Sequence, residues 1–142
     1  LDEIARGCTN TLAMNAKRQG LEFSYEGQPC EIRGNKELLI ELIMNLGENA
    51  IRYNKESGSV TVRVGMKDGK KFLEVKDTGI GIPNDCQERV FERFFRVDKS
   101  RSKQTGGTGL GLAIVKHIVA IHDATLSMES EVGRGTCIRV NF

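Results

Sequence analysis

The chain has 142 residues, the size of one domain, and is long enough to bury a core without disulfides or structural metal. Apolar residues make up 39% and charged residues 28%, a composition that rules out a disordered or membrane-embedded chain. Lys and Arg number 21 against 19 Asp and Glu, and a net charge of +2 is too mild to imply nucleic acid or a lipid surface as partner. Residues 2–19 carry Ile4, Ala5, Cys8, Leu12 and Ala16 at helical spacing, and Gly20 stops that helix. Two short strands are expected at 21–25 and 29–33, on either side of a turn at Gly27. Asn35 is placed to cap a long helix running to about Tyr53, its side chain accepting from a free amide of the first turn. Residues 60–64 alternate in the manner of a strand, Asp68-Gly69 makes a hairpin turn, and 71–76 return. A glycine loop over 77–82 ends at Pro83, residues 84–95 read as one short helix or two turns, and 96–107 have no apolar periodicity. A helix over 110–122 and strands over 125–129 and 136–140, joined by a turn at 133–135, complete the order. The expected fold is α+β, a two-layer sandwich with helices on one face of a mixed, mostly antiparallel sheet.

No apolar run approaches the ~18 residues that span a bilayer, and no signal peptide opens the chain. Its first residue is Leu1 and not Met, so we expect a single domain over 1–142, excised from a longer protein. Cys8, Cys30, Cys86 and Cys137 are too scattered for a zinc site or a disulfide framework and fit thiols kept reduced in a cytoplasm.

Glycine is more informative. Of 16 glycines, eight fall into three groups, at 79/81, at 106/107/109/111 and at 133/135. Clustered glycines mark backbone that turns sharply or approaches something closely. Three constellations stand out. On the long helix, Asn45, Glu48, Asn49 and Arg52 share one face, opposite Leu39, Leu42, Ile43, Leu46 and Ala50. Such a stripe is ordinarily the wet side of a helix. Yet asparagine is a mediocre helix former, and two of them one turn apart could offer oxygens to a hard cation such as Mg²⁺. Gly47 interrupts the same helix at a cost of about 1 kcal/mol relative to Ala.

The second constellation, Asp77-Thr78-Gly79-Ile80-Gly81-Ile82, puts a carboxylate at a strand end beside glycines. It reads either as turn chemistry or as an acceptor for a ligand amino group. The third, residues 106–112, opens a helix whose free amides and partial positive charge suit phosphate. It is neither a Rossmann fingerprint, since Ile114 stands where the third small residue belongs, nor a P-loop. Between the second and third groups, Arg93, Arg96, Lys99, Arg101 and Lys103 face a single acid, Asp98, as a mobile flap suited to a polyphosphate would.

In order along the chain, Asn45-x-x-x-Asn49, Asp77-x-Gly79-x-Gly81, Phe91-Glu92-Arg93-Phe94-Phe95 and Gly107-Thr108-Gly109-Leu110-Gly111-Leu112 closely resemble four boxes. These are the N, G1, F and G2 boxes of the catalytic, ATP-binding domain of sensor histidine kinases. The resemblance runs over essentially the whole chain and implies the Bergerat ATP-binding fold. It implies that Asp77 binds the adenine amino group, that Gly79, Gly81 and Ile82 line the base pocket, and that Thr136 helps to hold the carboxylate through water. By the same resemblance Asn49 ligates Mg²⁺, with Asn45 close to the metal and the γ-phosphate. Arg52 meets phosphate and Tyr53 packs near the nucleotide. Residues 93–108 form a mobile lid, in which Gly107, Thr108 and Gly109, continuing into Leu110, Gly111 and Leu112, close on the phosphates while Arg96 contacts the γ-phosphate. His122-Asp123-Ala124 departs from the family, which commonly has a glycine turn there.

The resemblance further implies a phosphotransferase whose acceptor histidine lies on a separate dimerisation domain of the parent, with a response regulator as the indirect partner. It implies a monomeric fragment that binds neither nucleic acid nor membrane. The location would be cytoplasmic, with the parent anchored in the bacterial inner membrane. The alternatives on the same fold are an ATPase, a serine kinase or an anti-sigma-type regulator. Hydrolysis needs a carboxylate at position 45 to activate water, and Asn45 cannot take that proton. Transfer to neutral imidazole needs no such base. Glu48, on the same face, is the one carboxylate that could reach a water. Neither His117, followed by Ile118, nor His122, at the end of a core helix, suits an acceptor.

Overall fold

The computed structural model describes residues 1–97 and 109–142. Helix α1, Asp2–Arg18, turns Ala5, Cys8, Leu12 and Ala16 inward at the spacing of a buried stripe. Helix α2, Lys36–Arg52, begins at Asn35, whose Oδ1 accepts the Leu38 N–H at 3.0 Å as expected of a cap. Its inward face carries Leu39, Leu42, Ile43, Leu46 and Ala50, all nearly inaccessible to solvent. Helix α3, Gly111–Ile121, buries Leu112, Val115, Ile118 and Val119 against α2.

Among the described residues there are five strands: β1 at Glu22–Gly27, β2 at Ser59–Lys67, β3 at Lys70–Asp77, β4 at Thr125–Glu131 and β5 at Gly135–Asn141. They form one sheet in the order β1-β2-β3-β5-β4. Only β1 and β2 run parallel, joined by the crossover through α2 that a parallel pair requires. The other pairings are antiparallel. Register aligns the inward side chains across the sheet: Tyr25 opposite Val62, Val62 opposite Val75, Val75 opposite Ile138, and Ile138 opposite Met128. This row faces the helices, as the sequence pattern predicts. Along β3 the same parity continues from Leu73 through Val75 to Asp77, so the apolar row ends in a carboxylate beneath the helix layer. The opposite side of the sheet is polar. There Glu26, Arg63, Glu74 and Arg139 line up across four strands.

One expectation needs correction. Residues 29–33 form no strand. Gln28 makes the last bond to β2, from its N–H to the Val64 carbonyl, and Pro29 has no N–H to continue the ladder. The carbonyls beyond are taken instead by the Leu1 ammonium, which donates to Cys30 at 2.9 Å, and by Lys71, which donates to Glu31. The stretch 84–95, left open as a helix or two turns, holds two 3₁₀ turns at Asn84–Cys86 and Arg89–Phe91. Gly47, which looked like a defect in α2, has a packing role. A Cβ there would lie 2.6 Å from both Leu12 methyls, so the glycine lets α1 lie close against α2.

Candidate nucleotide-binding site

Between α2, the end of β3 and the start of α3 lies a cavity of about 620 Å³. The apolar face of α2 is spent on the core, which fixes the rotation of the helix and turns Asn45, Glu48, Asn49 and Arg52 to the cavity. Among the described residues, none of these four side chains has a hydrogen-bond or ion-pair partner. Tyr53 lines the cavity just past the helix end. There Asn54 holds the turn, its amide donating to the Ala50 and Ser59 carbonyls at 3.2 and 2.9 Å.

Asp77 lies on the cavity wall at 8% exposure. Its Oδ1 accepts the Gly79 N–H at 2.8 Å and the Thr136 N–H at 3.2 Å, whereas Oδ2 has no partner among the described residues. Burial pushes the carboxyl up to about 6, against the partial relief of those two N–H donors. A proton would therefore sit on Oδ2. When ionised, Oδ2 is a bare acceptor at the bottom of a pocket, the chemistry an exocyclic amino group needs.

Thr136 reaches Asp77 by a contact of its own. The contact is direct, and the Thr136 backbone makes it. The Thr136 hydroxyl pairs with Ser130 at 2.8 Å. Ser130 Oγ also accepts the Ile82 N–H at 2.8 Å and donates to the Gly135 carbonyl at 3.1 Å. With its single proton so used, Ser130 must receive the proton of Thr136, whose own lone pairs stay available to a ligand. Ser130 is thus the joint between the glycine loop and the β4–β5 hairpin. Parity along β4, which turns Leu126, Met128 and Ser130 inward, was the sequence signal for it.

The glycine loop is closed against that hairpin. Gly81 has φ 72°, and a Cβ there would lie 2.1 Å from the Glu131 carbonyl oxygen, so no other residue fits. The Gly133 N–H donates to Ile80 across the same gap at 2.9 Å. Gly81 and Ile82 line the cavity; Gly79 does not, and its N–H bonds to Asp77.

On the far side, Arg96, Gly109, Gly111 and Leu112 reach the cavity, and Leu110 lies between lining residues at the start of α3. Asn45 faces that helix start closely enough that a Cβ at Gly111 would sit 3.4 Å from its Oδ1. The Phe94 N–H donates to the Gly109 carbonyl at 2.9 Å, which holds these two positions together beside the cavity. Gly107, Thr108 and most of the expected lid lie outside the described residues. Sequence reasoning missed Lys55, Ile80, Val90, Phe95 and Val132 as cavity walls. Ile80 and Val132 are exposed apolar side chains, which only the folded loop brings beside the site.

His122 is occupied structurally. Its Nε2 accepts the Asn35 N–H at 3.1 Å, so Nδ1 carries the proton that reaches the Ile118 carbonyl at 2.8 Å. His117 is exposed on α3. Among the described residues, no helix is long and apolar enough to cross a membrane.

A carboxylate and Thr136 with amide side chains around one pocket, and, among the described residues, a five-stranded sheet under three helices define a nucleotide-binding α/β sandwich. Residues 34–142 match the family described as histidine kinase-, DNA gyrase B- and HSP90-like ATPases, and the chain belongs to that family. It is 50% identical over 111 residues to the sensor-like histidine kinase SenX3 of Mycolicibacterium smegmatis, covering 78% of this chain and 29% of that protein. It is 40% identical over all 142 residues to the sensor histidine kinase YkoH of Bacillus subtilis, covering 31% of that protein. Among solved structures, the mycobacterial sensor histidine kinase MprB superposes with a TM-score of 0.83 at 30% identity, covering 99% of this chain and 91% of that one. Full-length ShkA in complex with AMPPNP gives the same TM-score at 26% identity, covering 99% of this chain and 29% of that one. The chain thus spans about three-tenths of the length of these curated relatives.

Proposed function

We propose that this chain is the catalytic, ATP-binding part of a two-component sensor histidine kinase, and that it transfers the ATP γ-phosphate to a histidine on a separate phosphoacceptor domain of its parent. The observation that carries this reading is the Oδ2 of the buried Asp77, without a partner among the described residues, in one cavity with the amides of Asn45 and Asn49, which likewise have none among them. Adenine sits at the Asp77 end, its amino group donating to Oδ2 while the Thr136 hydroxyl oxygen accepts a second donor, directly or through water. Gly79, Gly81 and Ile82 shape that end, and Tyr53 covers it.

The triphosphate then runs toward α3. Arg52 and Arg96 supply positive charge there, with Gly107, Thr108 and Gly109 through Leu110, Gly111 and Leu112 as the backbone around it. Neutral amide oxygens of Asn45 and Asn49, one turn apart and without partners among the described residues, suit Mg²⁺, which takes few protein ligands and keeps several waters. Asn45 and Asn49 would hold the ion there, and it would supply positive charge against the phosphates. The acceptor imidazole attacks the γ-phosphorus, an N–P bond forms as the bridging P–O bond breaks, and ADP leaves with the bonding pair. The imidazole N–H proton passes to solvent. Asn45 cannot abstract a proton from water, which favours transfer over hydrolysis.

The test mixes the chain with its parent's phosphoacceptor segment and γ-labelled Mg-ATP. Acid-labile, base-stable label on that segment is expected, with none on His117 or His122. Label released only as free phosphate would make the chain an ATPase and overturn the reading.

A further inference from the structure

Glu48 and Asp77 are the two acids among the described residues that line the cavity, and their settings differ. Asp77 is tied down by two backbone N–H groups. Glu48 is half-buried one turn along α2 from Asn45 and next to Asn49, and among the described residues nothing pairs with it, although Arg52, Lys55 and Arg96 line the same cavity. A bare carboxylate is out of place in a phosphate site, because it repels a triphosphate. The repulsion turns into attraction when a divalent cation stands between them. Asn45 and Asn49, on the same face of the helix, bring the oxygens that would hold one.

We infer that Glu48 makes nucleotide affinity depend on the divalent cation, by holding the metal's water shell when Mg²⁺ is present and repelling the phosphates when it is absent. The inference rests on the nucleotide reading above and adds a selection of Mg-ATP over free ATP. It assigns Glu48 no proton transfer. Its carboxylate, one turn from Asn45 and next to Asn49 in the chain, would act through water, as outer-shell carboxylates do at metal sites.

The two halves of this role change affinity in opposite directions, which a structural defect would not do. Calorimetric titration of the 142-residue chain with ATP in MgCl₂, and with ATP in EDTA, should show this for Glu48→Gln. We expect Mg-ATP to bind about tenfold more weakly than to the unmodified chain and metal-free ATP to bind severalfold more tightly. The thermal midpoint of the unliganded protein should be unchanged. Equal weakening of both complexes, or no change in either, would overturn the role. So would an unchanged Mg²⁺ dependence with loss of phosphate release, which would make Glu48 a general base for water. If the unmodified chain bound neither form of ATP, the nucleotide reading itself would fail, a result distinct from any seen in the variant alone.

Discussion

Asp77 shows what the site costs the fold. Its carboxyl titrates at about 6 in the folded chain against 3.8 in the free side chain, chiefly because it is buried. The folded state therefore holds this proton more tightly than the unfolded state does. Stability from this group falls as pH rises from about 4 to 6 and stays lower above that, by about 3 kcal/mol for a shift of this size. Asn at position 77 could still accept the Gly79 and Thr136 N–H groups without carrying charge. Asp77→Asn should raise the thermal midpoint of the unliganded protein at pH 8. It should also weaken ATP binding by about 10- to 100-fold, the value of a charge-assisted hydrogen bond. In the unmodified chain, ATP affinity should improve as pH rises through about 6 and level off above it, because only the ionised Oδ2 accepts the amino group. Titration calorimetry between pH 5 and 8 reads this directly. A pH-independent affinity would mean that adenine does not meet Asp77.

The helices carry their own tests. By helix propensity Gly47→Ala should stabilise α2 by about 1 kcal/mol. The new methyl would meet both Leu12 methyls at 2.6 Å, and overpacking of that kind costs about 1–3 kcal/mol. Net destabilisation in urea is expected, and Leu12→Val should recover part of it. At the end of α3, Asp123 takes a left-handed φ of 50°. Its N–H bonds to the Ala120 carbonyl and that of Ala124 to the Val119 carbonyl, the paired closure of a helix end that favours glycine. The turn is one that glycine makes most easily, and here an aspartate carries the strain. Asp123→Gly should stabilise the protein by about 1 kcal/mol, measured by denaturant unfolding.

Across the molecule, the open side of the sheet is held by charge. Arg139 Nε donates to Glu74 at 2.9 Å and lies 4.7 Å over the Phe72 ring, and Arg63 bonds to Glu26 at 2.7 Å and reaches Glu74 at 3.5 Å. Burial by itself would raise Glu74, but the hydrogen bonds and charge of Arg139 and then Arg63 outweigh it and hold the carboxyl below its usual range. A carboxylate lowered in the folded state contributes stability above its unfolded pKa and loses that contribution as pH falls through the folded value. Glu74→Gln should therefore cost about 2 kcal/mol at neutral pH, and the gap should close in strong acid. Paired urea titrations at pH 7 and below pH 3 would check it, and a gap of constant size would remove Glu74 as an acid-sensitive tie.

Periodicity in the chain was enough to say which side of each element faces inward. Leu39, Leu42, Ile43 and Leu46 could only lie in the core, so Asn45 and Asn49 had to face away from it. The alternation Leu73, Val75, Asp77 already placed a carboxylate at the end of the inward row. Those readings are local, set by the 3.6- and 2-residue repeats of helix and strand. Pairing is not local. The parallel partnership of β1 and β2, the insertion of β5 between β3 and β4, and the loss of a strand at 29–33 depend on which distant edge offers donors and acceptors. The partners of Asp77 depend on it too. Gly79 is two residues away and legible, but the Thr136 N–H arrives from 59 residues on, only because β5 registers against β3. Ser130 and the fit of Gly47 to Leu12 belong to the same class. A side chain's direction follows from its neighbours in sequence, whereas its contacts follow from how the strands pair and the helices pack.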